Sequence, residues 1–142
     1  MDGVNVDAVD QLAELPENVT ALLKSPAFAY FATLLPDGSP HLTQTWVDTD
    51  GTHILINTVQ GYRKLKNLER DGRVALVVSS PADLARHVAI RGQAVSVSTD
   101  GAEEHIEALA QRYYGAPYPY HHLGPRVLVR IAPTWVHNSL ER

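Results

Sequence analysis

The 142-residue chain contains no cysteine, which excludes disulfides, zinc–thiolate sites, iron–sulfur clusters and a cysteine nucleophile together. It lacks any apolar run near the ~20 residues needed to span a bilayer. Its start, MDGVNVDAVDQLAEL, has neither the basic n-region nor the apolar h-region of a signal peptide. A cytoplasmic address without membrane attachment is therefore expected. Positive charge is also scarce. A net charge of -4 and a pI of about 5.9 argue against a nucleic-acid binder. The chain carries no Gly-X-Gly-X-X-Gly fingerprint, no Walker loop and no Gly-X-Ser-X-Gly elbow, so any cofactor site must rest on something other than a Rossmann fold. No metal is expected either. His121 and His122 are adjacent and would point to opposite sides of an extended segment, and no further ligand sits at a recognisable spacing.

With 44% hydrophobic and 20% charged residues, what remains is one folded domain over 1–142, its acidic stretch 1–16 a lead-in expected to be partly ordered. Pro16-Glu17-Asn18 opens a short helix through Lys24. The apolar run 27–35 then reads as a strand, and Pro36-Asp37-Gly38-Ser39 as a hairpin turn. Residues 40–48 alternate as a second strand, Thr49-Asp50-Gly51 forms another turn, and 53–58 is a third strand. These three predict an antiparallel meander. Tyr62, Leu65 and Leu68 at helical spacing predict a helix over 61–71, with Gly72 as its C-terminal stop. Strands follow at 73–80 and 87–97, where Gly92 suggests a bulge. Thr99 or Asp100 is expected to cap a helix over 102–113, followed by a loop at 115–125 rich in Tyr, Pro and His. Residues 127–131 make a sixth strand, and 133–137 either extend the barrel edge or form a tail strand. The fold class is mainly β, a six- to seven-stranded antiparallel barrel with two or three short helices.

The densest chemical feature is basic. Five of twelve cationic side chains (Arg63, Lys64, Lys66, Arg70, Arg73) fall within eleven positions. Arg63 and Lys64 sit at a helix start, where free N–H groups and the helix dipole favour an anion such as phosphate. A solvated helix face, partly neutralised by Glu69 and Asp71, would carry the same residues. A second polar group, Gln44 and Trp46 with Asn57 and Thr58, could read the carbonyl and N–H edge of a heterocycle, or simply end two strands. Arginine outnumbers lysine nine to three, the codon bias of a GC-rich genome such as an actinobacterium.

Three pieces taken in order carry a resemblance: Phe31-Ala-Thr-Leu, then Asp37-Gly38-Ser-Pro-His-Leu-Thr-Gln44, then Arg63-Lys64-Leu-Lys-Asn67-Leu-Glu-Arg70-Asp71-Gly-Arg73. Over residues 18–139 the chain resembles the pyridoxamine 5'-phosphate oxidase-like split β-barrel family, and within it the deazaflavin (F420)-dependent oxidoreductases of actinobacteria. The resemblance implies a homodimer with cofactor sites at the subunit interface and a small-molecule substrate. It implies that Arg63 and Lys64 hold the cofactor phosphate, that Asn57 and Thr58 line the ribityl region, and that Gln44 and Trp46 lie near the ring. Asn67 is carried over with them. Arg86 and His87 would close the pocket from the partner subunit. The short chain favours F420, with FMN as the alternative, because the FMN-dependent oxidases run longer and carry C-terminal substrate residues missing here. The acidic tail of F420 would meet Lys66, Arg70 and Arg130. The implied reaction is hydride transfer between F420 and an activated C=C bond or quinone, with Tyr118, Tyr120, His121, His122 or solvent supplying the proton. A non-catalytic F420 or flavin carrier would share every binding residue.

Overall fold

The computed structural model describes residues 12–140. Seven strands form one sheet: β1 (Phe28–Leu34), β2 (Pro40–Thr45), β3 (Asp48–Thr49), β4 (Ile54–Val59), β5 (Arg73–Ser80), β6 (Asp83–Ser98) and β7 (Arg126–Ser139). Every neighbouring pair is antiparallel, in the order β2-β1-β5-β6-β7-β4-β3. Among the described residues three helices join them, α1 (Glu17–Leu23), α2 (Arg63–Arg70) and α3 (Ala102–Tyr114), with a 3₁₀ turn at His121–Leu123. The result is a mainly β split barrel.

Period-2 burial explains the curl. On β1, Ala29, Phe31 and Thr33 point inward while Phe28 and Tyr30 stay exposed, and β5 repeats the alternation. Strand β4 is buried at all six positions because both of its faces are covered. Ile54 and Ile56 enter the barrel core with Phe31 and Ile131, whereas Leu55 packs with Leu128 against Ala102 of α3. Helix α3 therefore covers the outer face of β4 and β7. That placement builds the site.

The expected three-strand meander does not form. β1 and β2 make the hairpin, but β4 pairs with β7 on the far side of the sheet. The second strand ends at Thr45, and Asp48–Thr49 forms a separate short strand against β4. Neither Thr99 nor Asp100 caps α3 through its side chain; Gly101, at φ 73°, occupies the cap position. Gly72 is not a left-handed helix stop. Asp71 turns extended instead, and a Cβ on Gly72 would sit 2.5 Å from Gln93 Nε2. β6 begins at Asp83, and the sixth strand continues through Pro133 as the 14-residue β7. The lead-in falls outside the described residues except for 12–16, which form no helix or strand and where Ala13 N–H donates to Pro133 O at 2.9 Å.

The irregularity expected at Gly92 is present. The β6–β7 register shifts between Arg91 and Gly92, and a Cβ at 92 would lie 2.6 Å from Ala132 O and 2.8 Å from Ile131 Cγ2. Backbone cannot yield there as a flexible side-chain end could. Gly92→Ala should cost ~1–3 kcal/mol, read as a lower denaturant midpoint at constant m-value. An unchanged midpoint would show that the two strands separate freely.

Candidate functional site

A cavity of about 390 Å³ opens between β2, the start of β7, α3 and the following loop. Half of its lining is aromatic: Phe28, Trp46, Tyr114, Tyr118 and Tyr120. Trp46 stacks on Tyr113 with centroids 4.7 Å apart and planes 7° from parallel. The rings of Tyr114 and Tyr118 meet its edge at 4.9 and 6.2 Å. Tyr113 is fixed in turn, its hydroxyl donating to Ala27 O at 2.7 Å. Such a wall suits a planar ring.

The polar side is built from Gln44, Asn57 and Arg126. Strand alternation sends Asn57 and Arg126 to the face that α3 covers, alongside Leu55 and Leu128. Arg126 is only 7% exposed. Its Nε donates to Asn57 Oδ1 at 2.8 Å and its Nη1 to the Tyr118 hydroxyl at 2.9 Å. Its guanidinium also lies 5.1 Å from the Tyr118 ring centroid. Burial pushes the Tyr118 phenol above its ordinary pKa, with the Arg126 charge offsetting part of the rise.

Among the described residues no carboxylate side chain forms an ion pair with Arg126 or Lys64. Lys64 instead has its pKa lowered, first by burial and then by the charge of Arg126 itself. Glu103 accepts from the Arg126 backbone N–H at 3.0 Å rather than from its guanidinium, and two cations held near each other without a side-chain ion pair suit an anion. The N-terminus of α2, where Arg63 and Lys64 stand, has no side-chain cap; the Leu65 and Lys66 N–H groups donate to Tyr62 O, which leaves those of Arg63 and Lys64 for an anion.

The structure distributes the nine residues singled out in the sequence as follows. Gln44, Trp46 and Asn57 line the cavity. Lys64 is close enough to Arg126 for their charges to repel, and Arg63 is exposed beside it. Thr58 is buried on the opposite face of β4 from Asn57. Asn67 is fully buried, its amide donating to Thr33 Oγ1 at 3.0 Å, away from the cavity. Arg86 donates to Leu140 O at 2.7 Å, and His87 Nδ1 lies 3.1 Å from Ala85 O; neither lines the cavity of its own chain. Of the residues assigned to an acidic tail, Lys66 is exposed, Arg70 donates to Leu34 O, and Arg130 Nε lies 3.8 Å from Asp50 Oδ2.

Of the loop side chains, Tyr118 and Tyr120 reach the cavity, while His121 is held between Glu107 (2.5 Å) and Glu103 (3.3 Å). Arg126 went unnoticed in the sequence as a site residue. Its signal was a charged residue at the head of an apolar strand, on the parity of Leu128 and opposite to the core residues Val127 and Val129. Asp48 and His105, which stand behind Asn57, were also missed.

The family model described as pyridoxamine 5'-phosphate oxidase matches residues 15–139. A solved structure described as an F420 reductase is 27% identical at a TM-score of 0.76, covering 86% of this chain and 98% of its own. A conserved hypothetical protein from Mycobacterium tuberculosis is 24% identical at 0.67, covering 89% of this chain and 85% of its own. HupZ of Group A Streptococcus, at 19% identity and 0.64, covers 89% of this chain and 94% of its own. These last two are likenesses of fold. No curated protein is similar enough to count as a match.

Proposed function

The chain belongs to the pyridoxamine 5'-phosphate oxidase family, and on that premise we propose that it is an F420-dependent oxidoreductase, a cytoplasmic homodimer with its cofactor sites at the subunit interface. One observation carries the cofactor reading. Next to an aromatic-walled cavity, Lys64 and Arg126 lie near enough for their charges to repel, and among the described residues neither side chain is ion-paired to a carboxylate. Such an arrangement gains free energy when an anion arrives, and a phosphate tethered to a planar ring meets both halves. The likeness to an F420 reductase favours the deazaflavin over FMN.

When bound, F420 supplies hydride chemistry to a small organic acceptor such as an activated C=C bond or a quinone. The chain's own residues bind, orient and exclude water. Arg126 and Lys64, with Arg63 beside them, hold the anion. Trp46 and the tyrosines wall the ring, and Gln44 offers an amide to its polar edge. Tyr118 keeps its phenolic proton at physiological pH as an ordinary tyrosine does, and burial pushes its pKa further up. Its oxygen already accepts from Arg126, so the proton is directed away from the guanidinium and is available to an acceptor in the cavity.

An exposed apolar face would seat the second subunit. Tyr30, Leu42, Val77 and Trp135 stand exposed on the outer face of β1, β2, β5 and β7, with Phe28 beside Tyr30. The register aligns Gln44, Tyr30, Val77, Ala89 and His137 in one row across five strands. Phe28 and Gln44 also line the cavity, so a copy seated on this face closes over its mouth.

The test is a fluorescence titration of purified protein with F420 and with FMN, followed by turnover of reduced F420 with quinone and enone acceptors. Tighter F420 binding with turnover is expected. Tight FMN binding without response to F420 makes the protein a flavin enzyme, and F420 binding without turnover makes it a carrier. Lys64→Ala should weaken cofactor binding by roughly 10- to 150-fold, the equivalent of one charge-assisted bond. Lys66→Ala, ~200° around α2, should have much less effect. Equal small losses from both would show a solvated helix face.

A further inference from the structure

Behind the cavity wall runs a hydrogen-bonded chain whose polarity is fixed from both ends. Asn57 Nδ2 donates to Ala102 O at 2.9 Å, and Asn57 Oδ1 accepts from Arg126 Nε at 2.8 Å. A carbonyl can only accept and a guanidinium can only donate, so the amide has one orientation. Its second hydrogen points to His105 Nδ1, 3.1 Å away, which must accept. At the other end, the Asp48 carboxylate can only accept, so His105 Nε2 carries the proton and donates to Asp48 Oδ2 at 2.9 Å. Carboxylate and amide thus require the same neutral tautomer. Arg112 Nη2 anchors the carboxylate, donating to Asp48 Oδ1 at 3.0 Å. Burial raises the Asp48 pKa, but bonds from His105, the Thr49 N–H and Arg112 more than reverse this and leave the carboxyl below its ordinary range.

The geometry points to Asp48 and His105 as positioning residues that lock the Asn57 amide and, through it, aim the Arg126 guanidinium into the cavity wall. Neither lines the cavity. This role rests on the cavity being the cofactor site. The physical need is specific. A flipped Asn57 amide would set its N–H against Arg126 Nε–H and its oxygen against both Ala102 O and the His105 lone pair. Three repulsions replace three bonds, and His105 supplies one of them. Asp48 makes that contribution dependable by holding the proton on the far nitrogen, the tautomer-fixing role of a buried aspartate behind a histidine.

Two half-replacements separate positioning from mere stability. His105→Asn places an amide where Nδ1 stood, so it can accept from Asn57 but cannot reach Asp48. His105→Gln reaches Asp48 in place of Nε2 and leaves the Asn57 hydrogen buried without an acceptor. His105→Phe keeps the bulk and loses both bonds. Positioning predicts that the Gln and Phe variants bind F420, or FMN, about 10-fold more weakly. Both should also shift the Arg126 Nε–H resonance in the cofactor-free NMR spectrum. The Asn variant should keep its affinity within about two-fold and leave that resonance in place, although its Tm falls. Affinities that simply follow Tm across the three variants would overturn the role, as would an unmoved Arg126 signal in the Gln variant. If the unmodified protein binds neither cofactor, the cofactor reading fails by itself. The Arg126 resonance of the free protein then still decides whether His105 positions it.

Discussion

Arg126→Ala is expected to weaken cofactor binding by ~100-fold or more and to lower Tm by roughly 10 °C. The affinity loss has two parts. One charge-assisted bond to the anion is removed, equivalent to ~1.5–3 kcal/mol, and Asn57 and Tyr118 lose the donor that aims them. Together these approach ~3–4 kcal/mol, which is ~100- to 1,000-fold in affinity. The stability loss follows from burial. Arg126 is 7% exposed and donates to Asn57 Oδ1, Asn57 O and the Tyr118 hydroxyl. Truncation leaves the Asn57 oxygen buried without a donor, a loss of ~2–4 kcal/mol that corresponds to about 10 °C for a domain of this size. Arg126→Lys restores the charge without the fork, so it should recover part of the affinity and little of the stability. A third readout is independent of the cofactor. Because the Arg126 charge helps lower the Lys64 pKa, removing it should move Lys64 back up toward an ordinary lysine, seen in an NMR titration. A Lys64 titration unchanged in Arg126→Ala would show that the two cations do not share a site.

Which parts of this architecture were legible in the sequence depends on how local their causes are. The β1–β2 hairpin is set by Asp37-Gly38, with Asp37 Oδ1 accepting from the Ser39 N–H and Gly38 at φ 87°. Helix α2 follows from the spacing of Leu65 and Leu68, both buried. The partner of β4 was illegible because nothing at 49–53 distinguishes a turn back onto β2 from a crossing to the other end of the sheet. That choice is made by β7, about seventy residues later, which offers the complementary apolar face. Gly72 misled for a related reason. A glycine after a helix usually signals a left-handed stop, but here the space is taken by Gln93 of β6.

The same distinction divides the site. Arg63 and Lys64 are neighbours in one motif, so a sequence can present them together. Asn57, His105 and Arg126 meet only because α3 lies over β4 and β7, and no spacing along the chain encodes that meeting. Asn67 is the converse case. It lies within the basic motif, yet it enters the core to hold α2 against Thr33 of β1, where its Oδ1 has no hydrogen-bond partner among the described residues. A polar residue inside a chemical motif is therefore not always a ligand. Some of them place the residues that are.

The second large effect concerns the outer face of the sheet. Val77→Glu should convert a dimer into a folded monomer and reduce cofactor affinity by at least 10-fold. In an isolated chain the change is mild. Val77 is 41% exposed, and a carboxylate there meets water at a cost within about 0.5 kcal/mol. Across a two-fold interface the same substitution buries two carboxylates that have no cation assigned to them, at several kcal/mol per ion. Val77 occupies the middle of the row that runs from Gln44 through Tyr30 to Ala89 and His137, so a partner covering this face cannot avoid it. Affinity falls along with assembly because Phe28 and Gln44 belong to both the face and the cavity, and losing the partner reopens the cavity mouth. Sedimentation at micromolar concentration, circular dichroism and a cofactor titration separate the outcomes. A dimer that becomes a folded, weakly binding monomer supports the assembly. An unmodified protein that sediments as a monomer removes the partner altogether, and a variant that stays dimeric with full affinity places the interface elsewhere on the barrel.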